Sequence, residues 1–203
     1  MALAPGAPDN RPLMDEEQLR RAVEDSLGLK RRFFETGLPR ILDAGRRIAA
    51  ALGAGGKLLV FGNGGSAADA QHFAAELVGR FQKERAGLSA IALTTDPSVI
   101  TALSNDYGVE AVFRRQIEAH GRQGDVAFGI TTSGRSRNVV EALRLAKQRG
   151  LLTVGLTGRG GGEVAEIADL LIDVPHDSTQ RIQEVHAMVV HLLCEIVEDT
   201  VAD

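Results

Sequence analysis

Five short apolar runs punctuate the middle of the chain at near-regular intervals: KLLVF at 57–61, SAIAL at 89–93, VAFGI at 126–130, LTVGL at 152–156 and LLIDV at 170–174. Between them the spacing turns helical, over 66–80, 109–120, 138–149 and briefly 163–168, and a long helical pattern closes the chain at 178–201. Apolar strands alternating with helices predict an α/β fold with a parallel sheet covered on both faces. Ligands of such sheets bind beyond the carboxyl ends of the strands, so the residues just after each run are the informative ones.

Before the first strand, residues 14–56 also read as helical, in two apolar stripes. Leu19, Val23, Leu27 and Leu29 make one, and Phe33, Phe34, Leu38, Ile41, Leu42, Ile48, Ala49 and Leu52 make the other. Gly55 and Gly56 end the region as a helix C-cap would. Two helices there exceed what a minimal α/β domain needs, and amphipathic leading helices suit packing against a partner subunit. Residues 1–13, rich in Pro, Gly and Ala, read as a disordered arm, and 14–203 as a single domain.

Composition narrows the function. Of 203 residues 25% are charged, with a formal net charge of −4 and no basic stripe, which argues against nucleic acid as a partner. There is no Trp and only one Tyr, so base-stacking platforms are not expected. Cys194 is the sole cysteine, which rules out an intrachain disulfide and fits a cytoplasmic location. No apolar run approaches the length of a membrane span, and the first residues do not read as a signal peptide.

Two loops carry candidate chemistry. The first strand runs into GNGGSAADA, where Gly62, Gly64 and Gly65 allow a sharp turn and Ser66 stands where a helix would start. Amides at such a start favour an anion; a tight β–α turn capped by Ser66 accounts for the same residues equally well. The third strand runs into TTSGRSRNVV, where Thr131, Thr132, Ser133 and Ser136 surround Gly134. One hydroxyl suffices for an N-cap; four point to a bound phosphoryl group. Neither loop is a P-loop or a dinucleotide fingerprint. The expected ligand is therefore a small phosphorylated metabolite, with no nucleotide cofactor.

At these loops the chain becomes recognisable. GNGGSAADAQHFAAELVGRF, ALTTDPSVITALSNDYG, GDVAFGITTSGRSRNVV, VGLTGRGGGEVAEIADLLIDVP and RIQEVHAMVVHLLCEIVE together resemble the bacterial phosphoheptose isomerases of the sugar isomerase (SIS) superfamily, from about Gly56 to Val197. The resemblance implies a three-layer αβα sandwich with a five-stranded parallel, flavodoxin-like sheet, and leading helices used for oligomerisation. It implies isomerisation of D-sedoheptulose 7-phosphate to D-glycero-D-manno-heptose 7-phosphate through an enediol, the first step towards the heptoses of cell-surface glycans. It also implies a homotetramer with sites shared between subunits, and a zinc ion. By motif, Asn63, Gly64, Gly65, Ser66, Asn105, Asp106 and Gln183 fall on substrate contacts. Thr131, Thr132, Ser133 and Ser136 fall on the phosphate loop, where Thr131 stands in place of the family's usual Ser. Glu76 and His191 fall on the catalytic carboxylate and imidazole, with Glu76 also a substrate contact. His72, Glu76, Gln183 and His191 fall on the zinc-binding set.

The residues themselves make sense of these roles. Moving a proton between adjacent carbons needs a positioned base, and the enediol oxygens need an acid or an electrophile. Glu76 suits the first task and His191 the second. His72 and Glu76, at i and i+4, share a helix face. Gln183 and His191, eight residues apart, are separated by about 12 Å of helix rise, so both reaching one ion within a single ideal helix is strained. The GNGGS loop after the first strand and the His72–Glu76 helix are thus expected to be two halves of one site. Arg80 and Arg85 are further candidates to reach substrate, Arg80 ahead of Arg85. His186 is expected to pack or to make a structural hydrogen bond, and Cys194 to be a buried thiol. Two other functions are compatible with the same loops: a non-enzymatic SIS protein that binds a replication initiator, and an isomerase of another sugar phosphate.

Overall fold

In the computed structural model, described for residues 14–201, a long helix α1 (Glu16–Gly53) leads into alternating strands and helices. These are β1 (Leu58–Gly62), α2 (Gly65–Val78), β2 (Ala90–Ala92), α3 (Pro97–Tyr107), α4 (Val112–His120), β3 (Val126–Thr131), α5 (Arg137–Gln148), β4 (Leu152–Gly158), α6 (Val164–Ile167), β5 (Leu170–Val174) and α7 (Thr179–Val201). A 3₁₀ turn at Val109–Ala111 joins α3 to α4. The arm expected at 1–13 lies outside the described residues.

All four strand pairings are parallel, in the order β2-β1-β3-β4-β5. This is the flavodoxin-like order, with its switch point between β1 and β3, and the two loops singled out above follow those two strands. Side chains alternate between the faces, as the strand period requires. Leu58 and Val60 pack into the layer with α1, α2 and α7, while Leu59 and Phe61 pack into the layer with α4, α5 and α6. The central strands β1, β3 and β4 are therefore buried on both faces almost throughout, with Thr131, Thr153 and Thr157 as their buried polar residues.

The leading region is one helix where two were expected. Asp15 caps its start in a reciprocal capping box with Gln18, and the helix continues through Pro39. A proline there removes an intrahelical hydrogen bond. Burial of Leu29, Phe33, Ile41, Ala44, Ile48 and Ala49 holds the helix together regardless. Leu19, Val23 and Leu27, spaced by one turn each, stay 53%, 58% and 58% exposed. The helix α3 had no counterpart in the expected pattern. Asp96 caps it and Pro97 opens it, but it buries no residue fully, and only the short pair Ile100 and Leu103 packs against the core.

Candidate functional site

The loop after β3 is closed by hydroxyls. The Thr131 hydroxyl lies 2.9 Å from that of Ser136 and 3.4 Å from that of Ser133, and Ser133 Oγ accepts the Arg135 N–H at 3.2 Å. Ser136 precedes α5 without capping it. An elaborate N-cap therefore does not explain these residues: Ser136 turns to Thr131 instead. Gly134, at φ +63°, is irreplaceable in this turn, because a Cβ there would stand 1.9 Å from the Gly161 carbonyl oxygen. Thr132 is half-buried beside these hydroxyls, and Arg135 and Arg137 point outward, exposed.

The loop after β1 enters α2 one residue earlier than expected. Gly64 takes the cap position with no side-chain cap bond, so Ser66 lies inside the helix and is buried. Asn63 is tied across the switch point to Asn138 of α5. Each side-chain amide donates to the other's oxygen, both at 2.9 Å. Sequence reasoning missed Asn138, whose only local mark is a polar residue in the first turn of an amphipathic helix. Asn105 and Asp106 sit exposed at the end of α3, with Asn105 Nδ2 donating to Asp106 Oδ1 at 2.8 Å.

A second group forms where α2 and α7 lie side by side. His72 Nε2 lies 3.1 Å from Glu76 Oε1, with side-chain exposures of 42% and 26%. The His191 ring meets the His72 ring edge-on, centroids 5.0 Å apart, and the Phe81 ring at 5.7 Å. One turn before His72, Asp69 has a buried carboxylate oxygen with no hydrogen-bond partner. Burial raises its pKa, against the pull of the His72 charge. That oxygen was not singled out from sequence.

Three of the four zinc candidates are thus neighbours, and the fourth is not. Gln183 packs at the very start of α2, close enough that a Cβ on Gly65 would lie 2.5 Å from its Nε2. His191 lies about 12 Å further along α7. The donor chemistry of two imidazoles, a carboxylate and an amide oxygen suits zinc. Among the described residues, however, no group of three or more His, Cys, Asp and Glu side chains is arranged to hold a metal ion. Likewise the hydroxyl loop and Glu76 lie towards opposite ends of α2. From Gly65 to Glu76 the helix rises about 16 Å. One chain thus places both loops by the start of α2 and the Glu76 group towards its end, whereas the loop after β1 and the His72–Glu76 helix were expected to be two halves of one site.

His186, Cys194 and Arg85 are structural, and Arg80 stays on the surface. His186 is fully buried, with Nε2 2.9 Å from the Thr157 carbonyl oxygen; burial pushes its pKa down to about 4 despite that bond. It stays neutral and holds α7 to the end of β4. Cys194 is buried, its pKa pushed up to about 12 by burial first and then by the Glu76 and Glu198 charges. Arg80 is exposed and pairs with Glu84 at 3.5 Å. Arg85 turns inward, away from any substrate, to an ion pair with Glu198.

Three comparisons bear on this geometry. A SIS domain family model matches residues 23–158. Curated relatives include a phosphoheptose isomerase of Roseiflexus sp., 56% identical over 88% of this chain and 90% of its own length. Another, from Aquifex aeolicus, is 54% identical over 92% of this chain and 98% of its own. Among solved structures, a phosphoheptose isomerase from Neisseria gonorrhoeae superposes with a TM-score of 0.86 at 42% identity, covering 91% of this chain and 98% of that one.

Proposed function

The chain belongs to the SIS domain family and, within it, to the phosphoheptose isomerases, and from that premise we propose how it works. It is a sugar-phosphate isomerase that interconverts D-sedoheptulose 7-phosphate and D-glycero-D-manno-heptose 7-phosphate, opening the route to activated heptoses. The observation that carries this reading is the grouping of Glu76, His72 and His191, from two helices distant in sequence, on a fold that also presents a loop whose Ser133 and Ser136 hydroxyls converge on that of Thr131.

In the mechanism, Glu76 removes a proton from C1 of the ketose and returns it to C2. The C2 carbonyl oxygen gains a proton as the C1 hydroxyl loses one, so the enediol collapses to the aldose with no net change in atoms or electrons. His191 serves these oxygens, taking and giving the proton as a general acid–base. The edge-on His72 ring fixes the His191 plane. Thr131, Thr132, Ser133 and Ser136 hold the phosphate, and Asn63 is oriented by Asn138 for the sugar hydroxyls. Asn105, Asp106 and Gln183 contact the sugar from α3 and α7.

Zinc is part of this proposal. His72, Glu76 and His191 would hold it, with Gln183 joining from another chain because within one chain it lies at the far end of α2, and when bound it would supply a Lewis acid for an oxygen of the substrate. No step above depends on it. Metal analysis of the purified protein, with turnover measured before and after chelation, tests it.

We also place the enzyme in the cytoplasm as a homotetramer whose sites combine two chains. The single buried, protonated cysteine suits a reducing compartment. The exposed Leu19–Val23–Leu27 stripe supports association, as does the separation of the hydroxyl loop from Glu76 along α2. No helix among the described residues is long and apolar enough to cross a membrane. The central test is incubation with D-sedoheptulose 7-phosphate and detection of an aldose heptose phosphate. Its absence with and without added zinc refutes the isomerase. Light scattering reads the oligomer; a monomer refutes the shared site.

A further inference from the structure

After α2 the chain runs without regular structure from Gly79 to β2, and two buried charges organise its start. Glu198, on α7, is 2% exposed. Its Oε1 accepts the Phe81 N–H at 3.1 Å and Arg85 Nε at 3.1 Å. Its Oε2 accepts the Gln82 and Lys83 N–H groups at 2.7 and 2.8 Å. The Arg85 side chain is 6% exposed, and its remaining nitrogens fan out to backbone carbonyls: Glu76 at 3.0 Å, Leu77 at 2.9 Å, Ala86 at 3.0 Å and Gly79 at 3.4 Å.

The last carbonyls of any helix lack intrahelical donors. Here one guanidinium donates to two of them in α2, Leu77 and Glu76 itself, while the Gly79 N–H takes the Ala75 carbonyl. The same clamp reaches His191 by two routes. Glu198 lies seven residues beyond His191 on α7, two turns along the same face. Phe81, whose N–H it holds, lays its ring against the imidazole, tilted by 30°. Planar, multidentate geometry of this kind is where Arg cannot be replaced by Lys. Ion pairs this buried bring little net stability, since desolvation offsets their attraction. Fixing the conformation of the segment is what such a pair adds here.

We propose that Arg85 and Glu198 are positioning residues of the isomerase, holding Glu76 and His191 in register through the backbone of α2 and the ring of Phe81. This rests on the isomerase reading above. Neither side chain touches substrate in this proposal. Their loss therefore lowers kcat and leaves KM nearly unchanged, because the phosphate loop lies elsewhere.

The test uses the full-length protein, Arg85→Lys and the double variant Arg85→Met/Glu198→Gln. The double variant leaves no lone buried charge, which is the usual cause of unfolding when one partner is removed. Lys57→Met serves as a control, since Lys57 pairs with buried Asp125 at 2.5 Å near the amino ends of the strands. The measurements are kcat and KM for D-sedoheptulose 7-phosphate, thermal melting by circular dichroism, and amide exchange over residues 76–88. We expect folded proteins with kcat at least tenfold down, KM within twofold, and faster exchange over 76–88. Lys57→Met is expected to lower the melting temperature while keeping kcat. If folded Arg85→Lys and the folded double variant keep kcat within twofold of wild type, or lose KM alone, the positioning role is overturned. A wild-type enzyme inactive on this substrate overturns the isomerase reading instead.

Discussion

The hydroxyl loop after β3 and the Glu76–His72–His191 group are built on different principles. The loop is local: six consecutive residues, one obligatory glycine, and hydroxyls that bond to one another at 2.9 and 3.4 Å. The helix group is tertiary. Its members come from α2 and α7, and their relation depends on how those helices lie together and on the segment that follows α2. The first is a shape for an anion that the backbone makes almost by itself. The second is a chemical group that exists only once the fold is complete, so perturbations should affect the two in different kinetic parameters.

The sharpest separation comes from Glu76→Gln. It keeps the shape of the side chain and removes the base, so kcat falls by about 100- to 10,000-fold, the usual worth of a positioned general base. The melting temperature should stay within a few degrees, since the Glu76 side chain is partly exposed and its hydrogen bond is to the exposed His72. Full turnover in this variant would remove Glu76 from the mechanism.

At the loop, Ser136→Glu places a negative charge among the hydroxyls that receive the phosphate. Like charges about 4 Å apart at a partly exposed site repel by about 4 kcal/mol. KM should rise by about a hundredfold or more while the Glu76 group stays assembled. A rise in KM below threefold would mean that the phosphate binds elsewhere.

These two variants also ask whether the regions belong to one chain's site. Each alone is nearly inactive. Co-expressed with different tags and purified as hybrids, they should recover activity if loop and helix group from different chains combine, at roughly a quarter of sites in a symmetric assembly with random mixing. Hybrids that stay inactive would place both halves in a single chain, against the separation along α2.

The same contrast explains what the sequence made legible. The five strands, their parallel pairing and both glycine–hydroxyl loops could be read from runs of apolar residues and turn chemistry, because these are local signals. Helix α3 could not, since it lays down no buried stripe. The break expected within the leading region is not there, because packing of Phe33, Ile41 and Ile48 carries the helix through Pro39. Glu76 and His191 were reached through resemblance; spacing gave only the His72–Glu76 pair. Asn138 and the Glu198 carboxylate were out of reach, because each matters through partners distant in sequence, and the burial of the Asp69 oxygen shows only once the helices are packed. Arg85 shows the limit best: a basic residue beside a candidate site suggested substrate, and the structure turns it inward.

Acid should produce the smallest effect, and a regional one. Burial alone would raise the Glu198 pKa, but the N–H groups of Lys83, Gln82 and Phe81 and the Arg85 charge outweigh it, and the net shift is downward. A carboxylate with a depressed folded pKa contributes stability that is present above its unfolded value and is lost as pH falls through the folded one. The clamp should therefore hold at neutral pH and loosen only below the ordinary carboxylate range. The hydroxyl loop owes its closure to Thr131, Ser133 and Ser136, which do not titrate there. Amide exchange, corrected for its intrinsic pH dependence, should then show protection of residues 79–88 falling in acid before that of 131–140. Simultaneous loss in both segments would mean that acid unfolds the domain as a unit, and that the clamp carries no separate pH response.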